Sequence, residues 1–549
     1  MAPALQFEAL SNFTILVMQL PFYQSTCGTI CAQTRKRGDS SQSAVSSNTW
    51  RHKHLSRSRG ITMNRQIQSI SLVVIFLLDA VHPGVTLAQS PAESVSVKST
   101  LKLLDSWLDY QVAKQGLPSV SMGLVFDQNQ IWTRSVGYAD IEKLRVATPD
   151  TVYSVCSITK LFTAISVMQL RDDNALDLNS DIEKLLPWLN IQRTKPSSAP
   201  ITLAGILTHS SGLPNDLASD YWTAQTFPND DEFRNGLSDV KTLYPAGKHE
   251  KYSNVGYVIA GYAIEEASGS SYTEYVQSNI LDPLDMRDTY MELTVSTASS
   301  NWATAYSGGG RHNKRQKIPT YQMKGLAASA GMASTVNDMS KFISWQFRLL
   351  NSNQNEILSK STLQEMHRVS WYNPGKEAHR GYGFSVMDLD GRLLVGKDGG
   401  CPGYLSLVIL DPESKLGVVV MTNGMGTDVW NFARGAFEMV GPAMDEAARP
   451  QSAEVLVSDI DLKKFEGVYR ATPSNIEVAV VAQQEHLVGI SLTSMSPAAS
   501  LFRLKHVGEG RFAQIELDGK TAGYIEFEYS DDGTVSRWLE LGAAMIKTH

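Results

Sequence analysis

The chain has 549 residues, of which 42% are hydrophobic, and a formal net charge of −7. This length and composition support a large apolar core and about three domains of ordinary size. The charge is uneven: residues 1–62 hold seven Lys or Arg against two acidic residues, a balance of +5, so that −12 falls on the chain from Met63 onward. An acidic body offers no electrostatic footprint for nucleic acid or an anionic membrane, and neither is predicted as a partner.

A second start of the chain is visible at Met63. The short basic segment that begins there is followed by an apolar run, Ile70 to Leu78, and by the small-x-small sequence Thr86-Leu87-Ala88. This order is typical of a secretory signal peptide, so residues 63–88 are predicted to be one and the protein to be secreted. The apolar run falls well short of the roughly 20 residues that span a bilayer, which argues against a stable membrane anchor.

Residues 1–62 precede this signal sequence and are rich in Ser and Arg. We interpret them as a disordered leader or a gene-model extension. A transit peptide or a true N-terminal domain is the alternative. With Cys27 and Cys31 in the leader, Cys156 and Cys401 are the two cysteines of the predicted mature chain.

The next segment, residues 94–443, alternates between strand and helix patterns. Helical periodicity covers Ser94 to Lys114, and a predicted hairpin follows. Short helices then fill the chain to about Leu293, before strands return between Phe384 and Thr422 and a helix over Trp430 to Val440 ends the unit. Strands at both ends with helices between them predict an α+β fold, an antiparallel sheet flanked by helices with an inserted helical lobe.

The last segment, residues 455–549, is predicted to be a separate β-rich domain. A plausible linker, Met444 to Gln451, precedes it. Short strands at regular spacing predict a small barrel or sandwich. The predicted strands are Phe465 to Tyr469, Ile476 to Val481, Leu487 to Leu492, Leu501 to His506, Phe512 to Leu517 and Ile525 to Tyr529.

An S-x-x-K sequence, Ser157 to Lys160, is the most informative motif. Residues three apart share one face of a helix, so the Lys160 amine would lie beside the Ser157 hydroxyl and make it a candidate nucleophile. Taken alone, such a pair more often means a helix N-cap and a solvated lysine.

Three further motifs follow in order: Leu207-Thr208-His209-Ser210-Ser211-Gly212-Leu213, then Tyr252-Ser253-Asn254, then Lys397-Asp398-Gly399-Gly400. With these motifs the chain resembles the serine β-lactamase and penicillin-binding protein family. Within that family it is similar to the branch with Y-x-N as its middle motif, which includes class C β-lactamases, D,D-peptidases and related esterases and transesterases. The resemblance covers roughly Val97 to Val440 and implies the β-lactamase/transpeptidase-like fold.

The resemblance also implies catalytic roles. Ser157 would attack a carbonyl carbon to form an acyl-enzyme. Lys160, with a pKa lowered by burial and nearby positive charge, would take the serine proton or hold a phenolate nearby. By resemblance, Tyr252 is the partner base and Asn254 positions Lys160 and the substrate.

The last motif supplies the predicted oxyanion and substrate contacts. Backbone N–H groups of Ser157 and Gly400 would bind the oxyanion. Lys397 adds positive charge, and Gly399 with Gly400 permits close approach of the substrate.

By resemblance to some class A β-lactamases, Cys156 and Cys401 are placed to form an active-site disulfide. Two buried free thiols are the alternative.

Several other possibilities are disfavoured. His209 is expected to satisfy backbone groups rather than to act as a general base. No zinc motif such as H-E-x-x-H occurs, and neither a metal nor a cofactor is predicted. Asp398 stands where many relatives have Thr or Ser, and its charge would repel a substrate carboxylate. We therefore hypothesise neutral esters, amides or lactones as the small-molecule acyl substrates.

The function predicted from the sequence is that of a secreted serine hydrolase acting through an acyl-enzyme on Ser157. An acyltransferase would use the same residues and differ only in its acceptor. A catalytically inactive binding protein is the third possibility, and the intact motif residues argue against it. The sequence predicts no particular protein partner.

Overall fold

The computed structural model describes residues 90–195, 198–292, 301–310, 314–389, 391–449, 460–516, 519–540 and 542–549. The predicted leader, residues 1–62, and the predicted signal peptide, residues 63–88, lie outside the described residues. Within the described ranges, no helix combines the length and the apolar character that a bilayer crossing requires.

The first ten strands belong to residues 94–443, the segment that the family resemblance predicts to be catalytic and that is called the catalytic part below. They are β1 Ser119–Phe126, β2 Asn129–Asp140, β3 Arg145–Val146, β4 Tyr153–Ser154, β5 Ala333–Ser334, β6 Ala378–Arg380, β7 Ser385–Leu389, β8 Arg392–Cys401, β9 Tyr404–Asp411 and β10 Leu416–Thr422. Eight of them form an antiparallel sheet in the order β3-β2-β1-β10-β9-β8-β7-β6, and β4 pairs with β5. The early strand β1 pairs with the late strand β10, which confirms a sheet assembled from both ends of this unit.

Twelve α-helices are present in the described ranges. They are α1 Val95–Lys114, α2 Thr159–Asp172, α3 Ile182–Leu185, α4 Leu203–Leu207, α5 Tyr221–Ala224, α6 Asp230–Gly236, α7 Asn254–Ser268, α8 Tyr272–Val276, α9 Ala327–Ala330, α10 Val336–Asn351, α11 Lys360–His367 and α12 Val429–Ala447. Helices α2, α7 and α10 share one apolar core on one face of the sheet. Helices α1 and α12 share a second core on the other face.

Helix α12 runs farther than the sequence predicted. It continues through Pro442 to Ala447, so the predicted linker at Met444 to Gln451 is helical over its first half. Proline in a helix interior normally breaks the helix because it removes one hydrogen bond. Here Ala443 and Met444 are buried in the core shared with α1, and this packing carries the helix past the proline.

Thr335 and Asp338, at the start of α10, have the spacing of a capping box, and the structure shows half of one. The Thr335 side chain accepts a hydrogen bond from the Asp338 backbone N–H at 3.1 Å, as an N-cap residue should. The Asp338 carboxylate does not reach back to residue 335; it accepts from Asp288 N at 2.8 Å and Thr289 Oγ1 at 2.9 Å. Asp338 thereby joins α10 to the loop before it.

The C-terminal domain is a closed antiparallel barrel. Its strands are β11 Gly467–Ala471, β12 Ile476–Gln483, β13 His486–Ser491, β14 Phe502–Gly508, β15 Arg511–Ile515, β16 Thr521–Tyr529, β17 Val535–Glu540 and β18 Ala543–Lys547. The last two strands were not among the predicted ones. Only Val535 and Trp538 of β17, and only Met545 of β18, are buried, so neither strand shows the clean alternation that identifies a half-buried strand.

The barrel packs against the catalytic part through the outer side of β12 and β13. Apolar side chains of these strands, among them Val481 and Ile490, enter the core formed by α1 and α12. Gln111 on α1 donates from Nε2 to the Leu492 carbonyl at 2.9 Å, and Trp107 donates from Nε1 to the Ser494 carbonyl at 2.9 Å. The barrel therefore sits on the face of the sheet opposite to the core that contains α2.

Candidate active site

Ser157 lies in a single 3-10 turn, Cys156–Ile158, immediately before α2. Cys156 has a φ of 50°, a left-handed backbone conformation that is uncommon for a residue with a side chain. The Thr159 hydroxyl closes the turn by donating to the Cys156 carbonyl at 2.6 Å, and Ser406 on β9 donates to the Val155 carbonyl at 2.9 Å. The predicted nucleophile thus sits on a turn held by both its own helix and the sheet.

Lys160 is fully buried one turn after Ser157. Its Nζ lies 3.3 Å from Ser157 Oγ, 2.7 Å from Asn254 Oδ1 and 2.8 Å from the Ser329 carbonyl oxygen. The S-x-x-K spacing therefore places the amine beside the hydroxyl, as predicted, and not in solvent.

These three contacts can be satisfied by a neutral amine. Burial lowers the pKa of Lys160 well below its ordinary value, and the nearby Lys397 ammonium lowers it further. A neutral amine has two N–H donors and one lone pair. Asn254 Oδ1 and the Ser329 carbonyl can only accept, so they take the two donors and leave the lone pair for the Ser157 hydroxyl.

Tyr252 precedes α7 and is the third member of this cluster. Its phenol donates to Ser157 Oγ at 2.7 Å. Two amines lie near the ring, with Lys160 Nζ and Lys397 Nζ each 4.9 Å from its centroid. Burial raises the pKa of Tyr252 well above its ordinary value, so the phenol is protonated at neutral pH. Of the two alternatives for Lys160, this favours direct proton transfer over a stored phenolate.

Lys397 is buried on β8, on the same face of the sheet as Ser157. Burial lowers the pKa of Lys397 to about 8, which leaves it mostly charged at neutral pH. Glu250, a partly buried residue, accepts from Arg380 Nε at 3.0 Å and from Lys376 Nζ at 2.8 Å. These ion pairs lie near Lys397 and act on its pKa in opposite directions. The positive charge of Arg380 lowers the pKa of Lys397, and the negative charge of Glu250 raises it.

The glycines of the last motif allow β8 to approach the nucleophile turn. A Cβ at Gly399 would lie 2.1 Å from the Val155 carbonyl oxygen and 3.1 Å from Ser157 N, so no other residue fits there. Among the described strands, β8 pairs with β7 only as far as Gly396, whereas its pairing with β9 continues to Cys401. Gly400 therefore lies on a strand end with one open edge beside Ser157, and its oxyanion role stays a prediction.

A disulfide joins Cys156 to Cys401, with the two Cα atoms 5.8 Å apart. The alternative of two free thiols does not hold in this structure. The bond connects the residue before Ser157 to the last residue of β8, so it fixes the turn and the strand end against each other.

His209 has the structural role expected for it. It is buried with a φ of 58°, and its Nδ1 accepts from the backbone N–H of Ser253 at 3.2 Å. Its ring lies 4.4 Å from that of Tyr252, centroid to centroid. Burial lowers the pKa of His209 well below its ordinary value, and no contact joins it to Ser157.

Asp398 lies next to Lys397 on β8, but its side chain is exposed. Because side chains alternate along a strand, it does not share the buried face of Lys397. Its negative charge still acts on the site, since it raises the pKa values of both Lys160 and Tyr252.

Sequence reasoning missed three groups that this site uses: the Ser329 carbonyl, the Asp216 carboxylate and the Glu250–Arg380 ion pair. The predicted elements include none at Ser329, which lies in the short helix α9. A carbonyl oxygen has no side-chain signature, and Asp216 belongs to none of the motifs. Elsewhere in the described ranges, no group of three His, Cys, Asp or Glu is placed to hold a metal ion.

Comparison with protein families decides the classification. A family model described as beta-lactamase matches residues 104–436. The chain belongs to the β-lactamase family.

Among curated relatives, this β-lactamase-family protein is 26% identical over 327 residues to the protein flp of Staphylococcus aureus strain N315. That match covers 58% of this chain and 62% of the relative, so the chain spans about three fifths of its length. A D-aminopeptidase of Gluconobacter oxydans is 23% identical over 415 residues, which cover 73% of this chain and 74% of that protein.

Solved structures show the same fold. An octameric penicillin-binding protein homologue from Pyrococcus abyssi is 25% identical with a TM-score of 0.55, and the match covers 81% of this chain and all of that one. A D-amino acid amidase from Ochrobactrum anthropi SV3 is 24% identical with a TM-score of 0.53, over 64% of this chain and 100% of the amidase. The first match covers more of this β-lactamase-family chain than residues 104–436 contain, so the likeness extends beyond the family match.

Proposed function

We propose that this protein is a serine hydrolase that forms an acyl-enzyme on Ser157. The observation that carries the proposal is the position of the Ser157 hydroxyl, 2.7 Å from the Tyr252 phenol and 3.3 Å from the Lys160 amine. A serine in contact with a neutral buried amine has the base that a serine nucleophile needs. Membership of the β-lactamase family supports the same chemistry.

In the proposed acylation step, the Ser157 proton passes to the Lys160 lone pair while Oγ bonds to the substrate carbonyl carbon. The oxyanion is held by the N–H groups of Ser157 and Gly400. The Tyr252 phenol gives its proton to the leaving group and regains one from the Lys160 ammonium, so the net proton moves from serine to leaving group. Water then attacks the acyl-enzyme by the reverse route, and Ser157 recovers its proton.

The proposed substrates are neutral or amine-bearing esters, amides or lactones. The Asp398 charge beside Lys397 disfavours a carboxylate at this end of the site. A relative named as a D-aminopeptidase supports amide bonds among the substrates. Turnover of a chromogenic β-lactam at rates rivalling those for short-chain aryl esters would overturn this substrate class.

We also propose that the protein is secreted through the signal sequence at residues 63–88. The disulfide between Cys156 and Cys401 supports this, because structural disulfides persist in oxidising compartments. N-terminal sequencing of the exported protein should find a start shortly after Ala88. A mature protein that retains residues 1–62 would contradict the proposal.

The function is tested with a fluorescent phosphonate that labels active serines. We expect wild-type protein to be labelled and Ser157→Ala to show no labelling and no ester hydrolysis. Ser166→Ala is the matched control, since Ser166 is a buried serine on α2 whose hydroxyl donates to the Phe162 carbonyl at 2.9 Å. Product analysis with an added alcohol distinguishes hydrolysis from acyl transfer, and ester product exceeding free acid would make the protein an acyltransferase.

A further inference from the structure

Asp216 lies outside every sequence motif, in the loop between the His209 turn and α5. Its Oδ1 accepts hydrogen bonds from Asn254 Nδ2 at 3.0 Å and from the Tyr221 phenol at 2.8 Å. Its Oδ2 accepts from the Asn215 amide. Since Asn254 Oδ1 lies 2.7 Å from Lys160 Nζ, a continuous chain of hydrogen bonds runs from Asp216 to the catalytic amine.

The contact fixes which way the Asn254 amide points. An amide side chain has a donor end and an acceptor end of nearly equal size, and only its partners select the orientation. A carboxylate can only accept. Asp216 therefore holds the NH2 end of Asn254 and turns the oxygen toward Lys160.

The orientation matters because of the two donors of a neutral lysine. With Asn254 Oδ1 and the Ser329 carbonyl accepting, the lone pair of Lys160 is free for the Ser157 proton. A reversed Asn254 would present its NH2 group to Nζ and compete with Ser157 for the lone pair. The amine would then be a poor base although it stayed in place.

Neighbouring charges also act on the Lys160 amine. Lys397 lowers the pKa of Lys160, while the carboxylates of Asp216 and Asp398 raise it and partly offset this effect. The Tyr252 and Tyr257 rings also face the amine, with centroids 4.9 Å and 5.5 Å from Nζ. Of the two carboxylates, Asp216 is the one that contacts the Asn254 amide.

We propose that Asp216 is a positioning residue for catalysis, which sets the orientation of Asn254 and so directs the Lys160 lone pair at Ser157. Its hydrogen bonds in the described residues go to Asn215, Tyr221 and Asn254, and not to Ser157. This inference rests on the proposed acyl-enzyme function.

The first test compares wild type with Asp216→Asn, whose side chain can donate as well as accept and so no longer selects one orientation. We expect its kcat on an aryl ester and its rate of phosphonate labelling to fall about 10- to 100-fold, part of the ~10²- to 10⁴-fold that a general base supplies. KM should change less than about threefold, because the substrate contacts are intact. Asp216→Glu, which restores a carboxylate, should regain part of the rate.

A double-mutant cycle with Asn254→Ala separates positioning from a general structural effect. If Asp216 acts through Asn254, Asp216→Asn should have no further effect on labelling in the Asn254→Ala background. An equal loss in both backgrounds overturns the inference. Asp216→Ser, which also lacks the carboxylate, goes through the same cycle, so the test stands if the first variant folds poorly.

Asp338→Asn is the matched control, because Asp338 is a buried carboxylate that joins two segments of the same domain away from Lys160. It should lower the melting temperature and leave the labelling rate unchanged. Wild-type protein that is not labelled at all would overturn the proposed function. Wild type and Asp216→Asn labelled at equal rates would overturn this inference alone.

Discussion

The surroundings of Ser157 and the interior of the C-terminal barrel bury opposite kinds of side chain. The site buries two amines, Lys160 and Lys397, together with the polar side chain of Asn254. The barrel core is aromatic, and the Phe465 ring centroid lies 4.9 Å from those of both Phe512 and Phe527. Among the described residues of the barrel, Gln483 is the one buried polar side chain, and it bonds to Ser96 on α1.

This difference separates the parts of the molecule that serve chemistry from those that serve stability. Buried amines lose hydration and stabilise a fold little, whereas buried aromatic rings contribute strongly to it. Mutations at the site should therefore change activity far more than stability. Mutations in the barrel core should do the reverse.

Lys160→Met should show the largest effect. Without the base, ester hydrolysis should fall up to about 10⁴-fold. Its three hydrogen bonds, worth about 1 kcal/mol each, are lost, but the cost of burying the amine disappears as well, so unfolding in urea should change little. Lys143→Met, at an exposed lysine, is the control for both measurements. A large loss of stability with little loss of activity would contradict the expectation that the site serves chemistry rather than stability.

Removal of the disulfide should lower both stability and activity, because the bond joins the nucleophile turn to the sheet. Closing a loop with a sequence separation of 245 stabilises by at most about 5 kcal/mol in the chain-entropy account. The Cys156→Ser, Cys401→Ser double variant should unfold at lower urea and hydrolyse esters more slowly. Peptide mapping without reductant should detect the linked peptides of wild type, and two free thiols would contradict the structure.

Phe527→Ala should act on stability alone. The Phe527 ring contacts Phe465, Tyr469, Phe512 and Trp538. Its removal should cost about 3–5 kcal/mol in the free energy of unfolding. The kcat of the folded variant should equal that of wild type, and a matching fall in kcat would show that the barrel core supports the site directly.

The pH dependence of kcat/KM should be the smallest of these effects. Activity should rise as Lys160 loses its proton, at a pH well below that of an ordinary lysine, because only the neutral amine is a base. It should fall above about pH 8, where Lys397 loses its charge, by about tenfold per pH unit. Lys397→Arg should remove the alkaline fall, since arginine stays charged. A profile that is flat to pH 10 would contradict these assignments.

The sequence predicted the residues of the catalytic cluster better than it predicted the groups that hydrogen-bond to them. Lys160 follows Ser157 by one helical turn, whereas Tyr252 lies far from both in the chain. Their residue types and the order of their motifs were nevertheless enough to predict that they share one site. Asp216 acts through one hydrogen bond to an amide, and Ser329 through its backbone, so neither leaves a pattern. The strands β17 and β18 were missed because barrel closure, which depends on strands distant in sequence, stabilises them more than their own alternation does.

The barrel rests on α1 and α12, the first and last helices of the catalytic part. Helix ends near a domain boundary are usually where a chain frays and where proteases first cut. Here Gln111 and Trp107 join α1 to the C-terminal domain, and Ser496 of that domain donates to Glu438 on α12 at 2.7 Å. Unfolding of the catalytic part from either end must first break these contacts, so we expect the barrel to slow unfolding and proteolysis of that part.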